Sequence, residues 1–128
     1  MNKSRIELVL RLLLIAMLVA FGANKFLGFM PMPEPPEAGG KFLGALMGAG
    51  YVFPTIGVVF LVSALLLLMR RVALGVLLVA PIAVNILGYH LQYDPEGIGA
   101  GAALAFLLLA LAVLNGKAIG ELFRSSAS

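Results

Sequence analysis

Polar positions are so sparse along this chain that its hydrophobic pattern reads as long blocks rather than as a short period. Residues 42–69, 72–93 and 97–116 contain no Asp, Glu, Lys or Arg, giving uninterrupted runs of 28, 22 and 20 residues. About 20 residues of α-helix, at ~1.5 Å each, cross a hydrocarbon layer ~30 Å thick. Each run is long enough. A further block holds 13 uncharged residues between Arg11 and Lys25. It spans as well if these two long cations snorkel toward the headgroups.

The pattern predicts an all-α integral membrane protein, a single domain with spans at about 7–27, 53–69, 72–92 and 98–114. Glu7 and Arg11 stand four apart and can pair on one helix face. The segment MPMPEPPEAGG holds four prolines, so residues 30–41 read as an external loop of extended character. The next apolar run exceeds one perpendicular span. A short interfacial helix over 42–50 is therefore predicted, with a single tilted helix kinked near Pro54 as the alternative. Arg70-Arg71 forms a minimal turn. Pro81 lies inside the third span, which membrane helices tolerate. Asp94-Pro95-Glu96-Gly97 is a turn, and residues 115–128 read as a polar tail. Short loops make neighbouring helices antiparallel, so the architecture is a four-transmembrane-helix up-down bundle with one extra interfacial helix after the first external loop.

Composition supports this class: 62% of residues are hydrophobic and 12% charged, against about 25% charged in soluble domains. Mean hydropathy is +1.07 and the pI is near 9.6. The basic residues sit at span ends rather than in a patch, which points to topology and away from nucleic acid. With the N-terminus inside, Lys3, Arg5, Arg11, Arg70, Arg71, Lys117 and Arg124 are cytoplasmic. Lys25 and Lys41 are outside, with Glu34, Glu37, Asp94 and Glu96. This bias predicts both termini in the cytoplasm. The opening segment reads as a retained helix, because Arg11 would interrupt a leader's apolar core and Phe21 suits a cleavage site poorly. The chain has no cysteine, which excludes disulfides and thiol-ligated centres.

Polar groups within the spans are the candidate chemistry. Asn24 and Lys25 close the first helix. Asn85, Tyr89 and Gln92 fall on one helical face, with His90 about 100° around from Tyr89. Together with Lys41, Tyr51 and Thr55, they could line a pocket at the outer leaflet. Such a pocket suits a quinone head, its carbonyls accepting from Tyr, His, Asn or Lys. The plainer reading makes Asn85 a helix-bonding residue, Tyr89 and Tyr93 interface anchors, and His90 a rim residue. A single histidine rules out bis-His haem within one chain, and His90 with Asp94 and Glu96 matches no metal spacing. No nucleophile accompanies a His90–Asp94 pair. Gly40, Gly44 and Gly48, Gly97 with Gly101, and Gly116 with Gly120 have small-xxx-small spacing and read as packing positions. The Arg and Lys clusters are small for a dedicated lipid-headgroup site.

The segment RLLLIAMLVAFGANKFLGF, residues 11–29, resembles the first helix of DoxX-type membrane proteins. These begin with an Arg-led apolar helix that ends in a small residue and Asn/Glu-Lys, here Asn24-Lys25. The likeness extends over about residues 5–116. It implies a bacterial inner-membrane four-helix protein, an accessory near quinone chemistry. Family members often carry an acidic residue in the second span, whereas Val58–Leu68 has Ser63 and no acid. Three functions are therefore weighed. The first is a non-catalytic accessory subunit of a larger membrane assembly, redox or respiratory, bound to a protein partner or to itself. The second is a quinone- or lipophile-binding oxidoreductase component, with no covalent cofactor implied. A small transporter or channel comes third, because no span holds a buried acid.

Overall fold

The computed structural model describes residues 2–127 and is all helical there. Helix α1 spans Lys3–Leu27, α2 Glu37–Ala49, α3 Val52–Leu68, α4 Val72–Tyr93, α5 Gly99–Leu114 and α6 Gly116–Ala127, with a single 3-10 turn at Pro95–Gly97. Helices α1 and α4 are each long and apolar enough to cross a membrane. The pairs α2–α3 and α5–α6 are bent by 83° and 74°, and counting each pair as one crossing raises the total to four. Packing closes a ring in which α1 lies on α3 and α5, and α4 lies on the same two helices.

Each helix boundary has a local cause. The Asn2 side chain accepts from Arg5 N at 2.9 Å and starts α1, satisfying an otherwise free first-turn amide. Gly28, at φ 62°, ends it and donates to the Asn24 carbonyl, a left-handed cap that glycine adopts without strain. At the α2–α3 elbow Gly50 has φ 83°, and Thr55 returns both its amide and its hydroxyl to the Tyr51 carbonyl. The break therefore falls just before Pro54, which sits harmlessly in the first turn of α3. Asn115 makes the other elbow, donating from Nδ2 to Leu111 O at 2.9 Å.

Two boundaries differ from the sequence expectation. Helix α2 begins at Glu37, not 42, so the loop shortens to residues 28–36. The cluster of prolines ends at Pro36, which serves as the N-terminal cap of the helix instead of interrupting it. The expected tail after 115 is also helical. Ile119, Leu122 and Phe123 recur at helical spacing and give α6 an apolar stripe between Lys117, Glu121 and Arg124.

Apart from Phe60 of α3, the core is aliphatic, with Leu14 and Leu18 of α1, Leu67 of α3, Val79 of α4 and Leu111 of α5 among its buried residues. Outward faces are as apolar as the core: Val84, Phe106, Leu109 and Val113 are each at least 65% exposed. Exposed apolar surface on this scale requires a lipid or protein covering. Within lipid, close contact between helices must come from shape and polar bonds, because the hydrophobic effect does not distinguish lipid from Leu.

The structure supplies both. Gly22 and Gly57 meet where α1 crosses α3; a Cβ on Gly57 would stand 2.7 Å from Phe26 Cε2 and 3.1 Å from the Gly22 carbonyl. In contrast, Gly44, Gly48, Gly116 and Gly120 have no neighbouring atom within 4 Å of a built Cβ. Among the glycines singled out by spacing, Gly101 packs against α4: a Cβ there would stand 2.9 Å from Ile86 Cγ2. Ser63, fully buried, donates to the Gly75 carbonyl at 2.6 Å and fastens α3 to α4. Arg11 pairs with Glu7 at 3.0 Å, the side chains being 13% and 22% exposed. It also donates to Leu67 O at 3.2 Å.

Replacing Gly57 with Leu should lower stability in detergent by about 2 kcal/mol through overpacking. Gly44→Ala should leave it equal or slightly higher, given Ala's ~1 kcal/mol helix preference. Thermal unfolding followed by circular dichroism separates the two. Arg11→Met should cost about 2 kcal/mol by leaving Glu7 unpaired, and adding Glu7→Gln should recover most of it. Failure of that recovery in the same assay would mean that the Leu67 contact, not the ion pair, carries the effect.

Candidate functional site

The candidate residues lie at the end of the molecule where α1 and α4 finish and α3 and α5 begin. Helix α2 crosses this end, and Gly39 is what allows it to approach α4. A Cβ at Gly39 would sit 2.8 Å from the Tyr89 hydroxyl oxygen and 3.2 Å from Tyr93 Cβ. Phe42, one turn later on α2, stacks on both tyrosines. Its ring centroid is 5.9 Å from that of Tyr89 and 5.6 Å from that of Tyr93, with interplanar angles of 22° and 24°. Tyr89 and Tyr93 are 5.8 Å apart. The His90 ring meets Tyr89 edge-on at 4.9 Å. Such offset and edge-to-face pairs contribute roughly 0.5–1.5 kcal/mol each beyond their burial.

His90 also closes α4. Its Nδ1 lies 3.2 Å from the Asp94 carbonyl and 3.8 Å from Asp94 Oδ2. The Asp94 amide in turn donates to the His90 carbonyl at 3.0 Å. A carbonyl can only accept, so the contact is a hydrogen bond when Nδ1 carries the proton, leaving Nε2 as the free ring nitrogen. The 3-10 turn that follows brings Gly97 against the Asp94 carboxylate. A side chain at position 97 would collide with it.

The remaining candidates do not converge on this cluster. Asn24 accepts from Met30 N at 2.8 Å through Oδ1 and shapes the turn after α1. Lys25 is half-buried in the last turn of α1, its stem against Gly57 and its Nζ 3.5 Å from Phe21 O. A cation there complements the helix dipole. Lys41 is 78% exposed and pairs with Glu37 at 3.6 Å. Tyr51 is exposed at the elbow, and its carbonyl serves Thr55. Asn85 is exposed on α4 and donates to Pro81 O at 2.8 Å. Gln92 is exposed as well.

Of these candidates, the structure thus brings Tyr89 and His90 together. It adds Phe42, which no pattern in the sequence singles out. Among the described residues, no three His, Asp or Glu side chains gather as a metal site would need. Two surface cavities, of about 310 and 280 Å3, lie away from the aromatic cluster. The cluster itself is a packed contact between α2 and α4.

Comparison with family models, curated proteins and solved structures returns no match.

Phe42→Ala should free α2 from α4 while leaving the four longer helices in place. Hydrogen exchange in detergent should quicken across residues 37–49 and stay unchanged in α1 and α3. Equal acceleration throughout would mean that the cluster supports the whole fold.

Proposed function

We propose that the chain is a small integral membrane protein that acts as a non-catalytic accessory subunit of a larger membrane assembly. The observation behind this reading is that the polar candidates bond within the chain. Asn24, Lys41, Asn85 and His90 each meet a local partner. What the molecule offers outward is an extensive apolar surface, including an open glycine face on α2. Surfaces of this kind suit helix-to-helix association.

In this reading the four long helices form an up-down bundle that crosses the bacterial inner membrane four times, with α2 and α6 as surface helices on opposite sides. Both termini are cytoplasmic, following the excess of Arg and Lys at the α6 end. The resemblance of residues 11–29 to DoxX-type proteins fits the same picture and suggests a redox or respiratory partner.

A second reading rests on the aromatic cluster. Stacked Phe42, Tyr89 and Tyr93, with His90 at their edge, offer the ring faces and the donors that a quinone or another flat lipophile would use. For that, α2 would have to lift from α4 to admit the ring.

Gentle extraction from native membranes followed by native mass spectrometry tests the first reading. The expected result is a stoichiometric complex with a larger membrane protein, and recovery of free monomer or homodimer alone would sink it. For the second, quinone retained by the purified protein should fall at least tenfold in Tyr89→Leu/His90→Ala. Unchanged retention removes the cluster from consideration.

A further inference from the structure

Two cavities lie against α4 and α6, one edged by charged side chains and the other almost wholly apolar. The first, about 310 Å3, is bounded by Arg70 and Arg71 on the α3–α4 turn, by the first turn of α4, and by Glu121 and Leu122 of α6. The second, about 280 Å3, is an apolar furrow between α4 and α5. Small side chains hollow it out, among them Ala80 on α4 and Ala105 and Ala112 on α5. Consecutive residues of α6 face the two spaces, Ala118 the cationic one and Ile119 the furrow. On α4, Ala73 lines the first cavity and Leu77, Ala80, Val84 and Leu87 the second. These positions step by three or four and form one stripe, so a single helix face runs from one cavity into the other.

Two guanidinium groups against one carboxylate leave the first cavity net cationic, and the guanidinium fork matches phosphate oxygens. Among the described residues, Arg70 is the one residue other than glycine with a left-handed backbone, φ 63°, a conformation that residues with a Cβ adopt rarely. The furrow extends from Leu77 to Leu87, which is ~15 Å of helix and half of a ~30 Å hydrocarbon layer. A phosphate at one end and a single-leaflet alkyl channel at the other describe one ligand.

We propose that this composite cleft holds one anionic phospholipid. Its phosphate sits between Arg70 and Arg71, and one acyl chain lies in the α4–α5 furrow beneath Ile119. Helix α6 lies across the junction of headgroup and chain. The turn that looked too small for a headgroup site in sequence gains its second wall from α6.

The test uses the purified full-length chain in detergent, titrated with dioleoyl phosphatidylglycerol or dioleoyl phosphatidylcholine and read by native mass spectrometry. Detergent has no sides, so any effect of arginine substitution on membrane orientation does not enter. One phosphatidylglycerol should be retained with at least tenfold preference over phosphatidylcholine. Arg70→Gln/Arg71→Gln should abolish the preference, and Ala105→Phe, which fills the furrow, should weaken retention of both lipids. Each variant is compared at unchanged helicity and unfolding temperature. Equal retention of the two lipids by the parent chain overturns the proposal, as does a preference that survives the double substitution. Displacement of the lipid by millimolar inorganic phosphate, with Ala105→Phe silent, would show a plain anion site instead and would also overturn it.

Discussion

A cation embedded among apolar side chains has to be answered by its own chain, and Arg11 is where this molecule meets that demand. Its side chain is 13% exposed, and its guanidinium is shared between the Glu7 carboxylate and the Leu67 carbonyl. Leu67 O belongs to the last turn of α3, where it also accepts from the Arg70 amide. One oxygen thus joins the start of α1 to the reversal between α3 and α4. With that reversal fixed, Arg71 N reaches Leu66 O at 2.8 Å, and the chain turns back in time for Ser63 to grip Gly75. Carbonyls at a helix end need partners, and here the tight turn and the part-buried arginine supply them together.

The two ends of the molecule are built by different means. At the α6 end, charge and hydrogen bonding dominate, through Arg11, Glu7 and the double-arginine turn. At the α2 end, rings do the work: Phe42 binds α2 to α4 by stacking, and a glycine at 39 lets the helices come close enough for it. Between the ends, the Gly22–Gly57 crossing draws α1 and α3 together without polar contacts. Polar groups that lie further in, such as Ser63 and Asn85, are bonded to backbone carbonyls.

Helix positions were legible because each charge-free block holds one long helix, and charges or turn residues mark its limits. Helix α2 was half legible: Gly50 and Pro54 located its end, while the prolines hid a start that Pro36 in fact caps. Helix α6 was missed because its apolar stripe is only two turns long and sits in a polar stretch. The predicted polar pocket dispersed for a general reason. Asn85 and Thr55 each return a side-chain donor to the carbonyl four residues earlier, the nearest acceptor a helical side chain has. Spacing on a helical wheel shows which side chains share a face, but not whether they look outward or back at their own backbone. The Gly22–Gly57 crossing lies between two helices distant in sequence and has no signature within either.

The unequal helix lengths have a mechanical consequence. The two sharp elbows cut α3 and α5 to 17 and 16 residues, while α4 runs for 22. At ~1.5 Å per residue these are rods of about 26, 24 and 33 Å. In the four-span arrangement proposed above, a ~30 Å hydrocarbon layer fitted to α4 would have to thin by several ångströms beside α3 and α5, at a fraction of a kcal/mol per ångström. In that arrangement the chain would match a thin membrane better than a thick one.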